Sequence, residues 1–298
     1  MGRRPALIVT GLSGLLGSRL TRLAGEAFSL VNIDIAEGVD IGDRAQLLEA
    51  AQRAPAALAL VHLAAFTDVS RAEAQTGDAN GSCWRVNVAG TQNVAEACRA
   101  NGLHLIHVST DFVFDGRKEA SYAEDDLPNP IEWYGRTKWM AEEAARTAGA
   151  WTIVRIAFPY VAGPAPRPDL VRSLREKLAR NQEVRLFTDQ IITPTFADDI
   201  VQGILLLARM RPNGEVFHLA GSSSLSPFDL GRKIAAAFDL NEALILPSTL
   251  EEYLKTDPRP RQRCLRMSNA KWSAYAERHG LSRPLTIEQG LERVRLEG

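Results

Sequence analysis

The sequence predicts a doubly wound α/β fold, a parallel sheet covered by helices on both faces, followed by a smaller α+β lobe. Three observations carry this prediction. Short apolar runs alternate with longer amphipathic stretches through the first half, which is how a sheet buried on both faces reads. The first run, ALIVT, leads straight into TGLSGLLG, a glycine-rich turn suited to joining a strand to a helix. After Ile156 the rhythm breaks into loop-rich sequence punctuated by Pro159, Pro164, Pro166 and Pro168.

In chain order, strands are expected at 6–10, 29–34, 57–64, 103–109 and 151–156, each a run of apolar and β-branched residues bounded by polar or glycine-containing turns. Helices are expected between them at 15–25, 43–53, 87–101 and 134–148. A dinucleotide-binding domain is therefore drawn at 1–157, and a mainly substrate-binding lobe at 158–298, with room for later segments to return to the first domain. The second lobe is assigned helices near 168–180 and 196–210 and short strands at VRLF and VFHL. Internal repeats, heptads and low-complexity tracts are absent from the sequence.

The bulk properties exclude several classes. A chain of 298 residues with 45% hydrophobic content can bury a large core. Lys plus Arg (35) nearly balance Asp plus Glu (36), so a net charge of -1 gives no electrostatic footprint for nucleic acid or an anionic membrane. Cys83, Cys98 and Cys264 are too few and too scattered for a disulfide framework or a cysteine-based zinc site, which points to a reducing cytoplasm. MGRRPALIVTG contains no secretory apolar region, and no stretch approaches the length of a membrane span. The expectation is a soluble, untargeted, cytoplasmic protein. A homodimer is compatible with the sequence but not required by it.

Gly11, Gly14 and Gly17 form a T-G-x-x-G-x-x-G array after the first strand. Missing side chains let the backbone turn tightly and let a pyrophosphate approach the amides, while the following helix N-terminus offers N–H donors and partial positive charge. The same turn is also compatible with a purely structural role. Leu15 and Leu16, inside the array, are assigned to the same cofactor surface. The second strand ends at Asp34, followed by Ile35, where a carboxylate can accept from adenosine ribose hydroxyls or simply serve a strand-end turn. Glu37 follows and no arginine comes before Arg44, so a 2′-phosphate would meet negative charge. Two like charges ~4 Å apart repel by a few kcal/mol at an effective dielectric of ~20. NAD(H) is favoured over NADP(H).

Ser109, Thr110 and Asp111 fall at the carboxyl end of a strand, where open α/β sheets place their ligand crevice. In EWYGRTKWM, Tyr134 and Lys138 are four residues apart, which puts both on one face of a helix. Either feature alone is equally served by a turn or by packing. Together they suit carbonyl reduction, because a ketone that accepts hydride needs a proton on its oxygen. Tyrosine can donate one if its phenolate is stabilised, and an adjacent ammonium or a cationic nicotinamide favours that anion. Lys138 is assigned to this task and to the nicotinamide ribose, and Thr110 to the substrate oxygen.

The ordered set TGLSGLLG, Asp34, HLAAFTDV, NVAGTQN, STDFVFDG and YGRTK resembles the extended short-chain dehydrogenase/reductases, whose cofactor domain is a Rossmann fold. STDFVFDG with EDDLPNPIEWYGRTK is most similar to the dTDP-4-dehydrorhamnose reductase branch, and FTDQIITPTFADDIV and DPRPRQRCLRMSNAKW are similar to its later segments, so the likeness covers most of the chain. The resemblance implies Thr110, Tyr134 and Lys138 as catalytic triad, Ala64 and Ala65 at the cofactor, and Asn87 at the start of the helix supporting the site. Two segments depart from that branch, IAFPYVAG and RPRQRCLRMS. Asp111 is a candidate substrate contact, and Arg259, Arg261 and Arg263 could bind a substrate diphosphate or form a solvated loop.

Other polar residues point to structure. His62, His104, His107, His218 and His279 lack ligand spacing, so no metal is expected. Asp198 and Asp199 read as carboxylates that cap a helix start, and Trp133 and Trp139 as lobe packing. The serines of AGSSSLSPFDLGRKI read as a loop and N-cap. The functional expectation is NAD(P)H-dependent reduction of a nucleotide-linked 4-keto-6-deoxysugar. An epimerase or dehydratase using NAD internally, and a non-catalytic NAD(P)-binding regulatory subunit, stand as alternatives that fold likeness cannot separate.

Overall fold

Six parallel strands make the central sheet of the computed structural model, which describes residues 4–257 and 259–297. Met1 to Arg3 of the N-terminal stretch and Pro258 of the arginine-rich run lie outside the described residues. In chain order the strands are β1 (Ala6–Thr10), β2 (Ser29–Asn32), β3 (Ala57–His62), β4 (His104–Thr110), β5 (Trp151–Ile156), β6 (Val184–Phe187), β7 (Glu215–Leu219) and β8 (Ile245–Ser248). The sheet runs β2-β1-β3-β4-β5-β7. From β1 the chain moves outward to β2 and then crosses back to β3, so the strand order reverses beside β1. At such a switch point the loops leave the sheet in opposite directions and open a crevice.

Alternation along the strands assigns the two faces. Leu7 and Val9 of β1, Ala59 and Val61 of β3, and Ile106 and Val108 of β4 share one core with α1 (Leu15–Ala24). Ile8, Leu60 and Leu105 point the other way, onto α2 (Arg44–Ala51) and α3 (Gly90–Asn101). Burying a side chain such as Leu20 or Ile8 contributes about 1.5–3 kcal/mol each. Next come α4 (Trp133–Ala145), α5 (Leu170–Ala179), α6 (Ala197–Met210), α7 (Pro227–Ala237), α8 (Ala270–Arg278) and α9 (Ile287–Glu297).

The later chain is divided between two cores. VFHL, grouped by sequence with the smaller lobe, lies in β7, the sixth strand of the large sheet, paired in parallel with β5. Ile200, Val201, Ile204 and Leu207 of α6 and Trp272 and Ala276 of α8 join the core that contains α1. VRLF forms β6, which pairs with β8. A separate cluster joins Val184 and Ile245 of that pair to Leu174 and Leu178 of α5, Leu230 and Ile234 of α7, and Leu291 of α9.

Asp198 and Asp199 correct a local expectation. Both sit in the first turn of α6, but neither caps it. Asp198 instead takes two hydrogen bonds from the buried Arg19 of α1, at 2.5 Å each, and Asp199 accepts the Leu285 N–H at 2.8 Å. Both tie the second half of the chain to distant segments, which local sequence does not display. Ser226 does cap α7, accepting the Asp229 N–H at 3.0 Å.

Candidate active site

A cavity of about 710 Å³ opens where the carboxyl ends of the strands meet the segment after β5. Its volume lies within the range of small-molecule and cofactor sites. Gly11, Gly14, Leu15, Leu16, Gly17, Asp34, Ile35, Ala64, Ala65, Thr110, Asp111, Tyr134 and Lys138 all line it, so the structure brings both halves of the sequence constellation to one space.

The glycine turn is shaped by close backbone approach. Gly11 has φ +73°, and a Cβ there would lie 2.5 Å from the Ala64 N. A Cβ on Gly17 would overlap the Leu12 backbone. Gly14 caps α1 without a side chain, so no side-chain oxygen competes for the amides at that helix start. These features fit a dinucleotide pyrophosphate, which needs bare backbone at contact distance.

Asp34 serves the strand-end turn and the glycine turn together. Its carboxylate accepts the Ala36 N–H at 2.8 Å and both the N–H and hydroxyl of Ser13 at 3.1 Å. Burial pushes its pKa up, but these hydrogen bonds outweigh that and hold it below the ordinary carboxylate value. Ile35 is 71% exposed at the cavity rim. Arg44, the first arginine after Asp34, forms an ion pair with Glu96.

At the other end, Glu132 sets the start of α4. Its two carboxylate oxygens accept the Tyr134 and Gly135 N–H groups at 2.8 and 2.6 Å. Gly135 is required there because a Cβ would overlap the Phe112 carbonyl. Lys138 Nζ donates to the Val108 carbonyl at 2.7 Å. The Thr110 hydroxyl donates to Asp111 Oδ1 at 3.0 Å, while buried Asp111 Oδ2 has no partner. Burial raises the Asp111 carboxyl to about 7 and Glu132 to about 7, and lowers Lys138 to about 8. The Tyr134 phenol is also pushed up by burial, with Thr110 opposing and Glu132, Asp111 and Cys83 adding to the rise. Sequence reasoning expected Lys138 to ease phenol ionisation. In this geometry Lys138 is held by a carbonyl, and desolvation of the phenol dominates.

Asn87 lies in a π-helical turn, Arg85–Ala89, just ahead of α3. Its amide accepts the Phe66 N–H at 2.8 Å and donates to the Phe66 carbonyl at 3.1 Å and Thr137 Oγ1 at 3.0 Å. It thereby joins the loop after β3 to the helix that carries Tyr134. His62 bridges Thr10 Oγ1 at 2.7 Å and Thr91 Oγ1 at 3.1 Å. Because Thr91 donates to the Asn87 carbonyl, His62 Nε2 must be the donor to Thr91, and His62 Nδ1 accepts from Thr10.

Among the cavity residues that escaped sequence reasoning are Phe158 and Arg167. Phe158 adopts φ +39°, a strained conformation for a non-glycine residue, and its ring packs 6.1 Å from Phe112. Arg167 donates to Thr67 Oγ1 at 2.8 Å across the mouth. The proline-rich loop was a visible signal, but its position over the cavity depends on long-range packing.

Arg259, Arg261 and Arg263 do not line this cavity. Arg259 is paired with Asp257 and touches Ser70. Arg261 lies 4.6 Å over the Tyr253 ring and donates to its hydroxyl at 3.1 Å. Arg263 faces Asp189 at 3.4 Å with its side chain 70% exposed. Trp133 stacks on Trp84 with ring centres 6.1 Å apart, a packing role as expected. Among the described residues, no helix is long and apolar enough to cross a membrane.

Residues 5–283 match the family model described as RmlD substrate binding domain. The chain is 33% identical over 297 residues to the probable low-salt glycan biosynthesis reductase Agl14 of Haloferax volcanii, covering 95% of each protein. It is 30% identical over 278 residues to a dTDP-4-dehydrorhamnose reductase of Mycobacterium tuberculosis, covering 91% of this chain and 88% of that one. The fold is similar to the crystal structure of dTDP-4-dehydrorhamnose reductase from Bacillus anthracis in complex with NADP, at a TM-score of 0.87 and 26% identity, over 99% of this chain and 100% of that chain.

Proposed function

The chain belongs to the RmlD substrate binding domain family, among the extended short-chain dehydrogenase/reductases, and from that premise we propose that it reduces a nucleotide-linked 4-keto-6-deoxysugar with NADH. One observation carries the reading: a single cavity is lined by the bare glycine turn at one end and by Thr110, Tyr134 and Lys138 at the other. A dinucleotide lying along it would reach from Asp34 to the base of Tyr134.

A reduced nicotinamide, when bound, supplies hydride to the ketone carbon. Tyr134 gives its phenolic proton to the ketone oxygen, so the carbonyl becomes an alcohol. Thr110 would hold that oxygen near the phenol by turning its one hydroxyl hydrogen from Asp111 Oδ1, where it rests at 3.0 Å, to the ketone oxygen. Lys138, which donates to the Val108 carbonyl at 2.7 Å, would hold the nicotinamide ribose and would favour the phenolate left after proton transfer. Phe112 and Phe158 keep apolar surface against the reacting centre.

Cofactor choice is assigned to Asp34, which lines the cavity and whose carboxylate would repel a 2′-phosphate bound beside it. Arg167 and Lys138 are the cations that line the cavity, and neither adjoins Asp34 in the chain. Nucleotide-linked sugar is favoured as substrate by the relatives, among them a dTDP-4-dehydrorhamnose reductase.

The test follows absorbance as NADH is oxidised with dTDP-4-keto-6-deoxysugars, using wild-type protein and Tyr134→Phe. The variant is expected to lose on the order of 10²–10⁴-fold in kcat while its NADH affinity is unchanged. Wild-type turnover in Tyr134→Phe overturns the role of the phenol. No oxidation with any nucleotide-linked ketone, in protein that binds NADH, moves the reading to an epimerase or a regulatory subunit.

A further inference from the structure

Lys138 is buried, and a buried ammonium is costly unless something nearby compensates it. Glu142 follows one helical turn later on α4 and is itself fully buried, although it does not line the cavity. Residues four apart on a helix are neighbours on one face. Glu142 Oε1 accepts the Ser109 hydroxyl at 2.6 Å and Arg155 Nε at 2.9 Å, and Oε2 accepts Arg155 Nη2 at 2.8 Å. Arg155 is fixed in turn, lying 5.1 Å over the Phe114 ring with Nη1 3.5 Å from both the Glu124 carbonyl and His218 Nε2. The carboxylate is thus clamped from β4 and β5 beneath the helix that carries Tyr134.

Such a pair is poorly explained by stability alone, since well-packed apolar residues often replace a buried ion pair without loss. We propose that Glu142 is a positioning residue that keeps Lys138 charged, with Arg155 and Ser109 fixing the carboxylate for that purpose. The use of the charge rests on the reductase reading; the coupling of Glu142 to Lys138 does not.

The groups facing Lys138 from neighbouring elements agree with this. Tyr134 comes from its own helix, Cys83 from the short helix Ser82–Trp84, His62 from β3 and His107 from β4. Burial lowers His62 to about 3, drives His107 well below its usual value and raises the Cys83 thiol, so all three are uncharged near neutrality. Burial also draws Lys138 down to about 8, and Glu142 is the leading influence against that fall. Lys138 is charged below its pKa and neutral above it. Removing the Glu142 charge therefore moves its loss of charge toward lower pH.

The experiment compares wild type with Glu142→Gln and with the charge-neutral double variant Glu142→Gln/Arg155→Gln, which leaves no unpaired guanidinium. Trace acetylation of Lys138 against pH, read by mass spectrometry of its peptide, reports the amine without substrate. The midpoint should fall by about one to two pH units in Glu142→Gln, the scale expected for loss of an opposite charge, and by less in the double variant, which also removes the Arg155 cation. The basic limb of kcat/KM should move with it, and Glu142→Asp should largely restore both. An unchanged labelling midpoint in either folded variant overturns the inference, as does a uniform fall in activity with the pH profile in place. A shifted midpoint in protein inactive on every nucleotide-linked ketone keeps the coupling and removes the reductase reading instead.

Discussion

The glycine turn at the head of α1 and the arginine run from Arg259 to Arg263 are the two places where the sequence offers a phosphate a partner, and they are built in opposite ways. The turn has no charged side chain at its glycines and lines the cavity with bare backbone. The run is rich in cations, yet its arginines are engaged by Asp257, Tyr253 and Asp189. Charge in a sequence is therefore not the same as charge available to a ligand. Missing side chains, by contrast, let the turn close on the Leu12 and Ala64 backbone while its glycines still line the cavity.

Breaking the turn should have the largest effect. In Gly17→Ala the added methyl overlaps the Leu12 backbone within the turn, and no flexible side chain can move aside. NADH binding is expected to be lost, with destabilisation on the order of a few kcal/mol by overpacking. Gly14→Ala is the control, because its Cβ would stand 3.2 Å from the Gly11 carbonyl and needs only a small shift. Thermal unfolding and NADH fluorescence titration check both. Equal affinities in Gly17→Ala and wild type would mean that the turn is structural only.

The Tyr134 end of the cavity carries a different cost, an unpaired buried oxygen on Asp111. Its folded pKa, about 7, lies above the ordinary value of 3.8, so the folded state binds the proton more tightly. The penalty for ionising Asp111 thus begins near pH 4, grows to about pH 7 and stays constant above. Asp111→Asn cannot ionise, and its stability relative to wild type should rise by about 2–3 kcal/mol between pH 5 and pH 8. Denaturant unfolding at the two pH values checks the sign. A gain that is equal at both removes Asp111 as the titrating group.

The same contrast explains what the sequence made legible. Strands β1 and β5 were readable to the residue, because ALIVT and WTIVRI are apolar runs with sharp ends. The glycines, Asp34, Tyr134 and Lys138 were readable as residues of one cavity because local spacing on a strand, turn or helix places them there. Glu142, Asn87 and Arg167 were not assigned their contacts, since each acts across 13 or more positions of chain, as in Glu142 with Arg155 and Arg167 with Thr67. VFHL looked like any short strand, and only pairing with β5 identifies its sheet. The arginine run stayed open between diphosphate binding and a solvated loop for the converse reason, as its acidic and aromatic partners lie partly outside the run.

Asp34 sharpens the comparison at an intermediate scale. It touches the glycine turn through Ser13, so Asp34→Ala should loosen that turn as well as remove negative charge. The affinity ratio between NADH and NADPH is expected to fall by about tenfold, near 1.4 kcal/mol. Asp34→Asn keeps acceptor capacity for Ser13 while removing charge, and should narrow the ratio with less loss of NADH affinity. Parallel titration of both cofactors against both variants separates the two contributions. An unchanged ratio in Asp34→Asn would place cofactor choice elsewhere.

The smallest effects belong to the arginine run, where the individual residues differ. Arg263 is largely exposed and faces Asp189 at 3.4 Å, and exposed pairs of this kind contribute about 0–1 kcal/mol. Arg263→Ala should leave the melting temperature nearly unchanged and alter KM for a nucleotide-linked ketone by less than about twofold, roughly 0.4 kcal/mol. Arg261 is held more closely, by the Tyr253 ring and hydroxyl, and its Nε is a buried donor with no partner. Arg261→Ala should cost about 0.5–2 kcal/mol of stability through the lost cation–π contact. If the exposed part of that guanidinium meets a substrate phosphate, KM rises severalfold at constant kcat, the mark of binding lost equally from ground and transition states. Steady-state kinetics of the two variants, alongside their unfolding curves, separate these contributions. A tenfold rise in KM for Arg263→Ala would reverse the contrast, because the most exposed arginine of the run would then be the one a ligand uses.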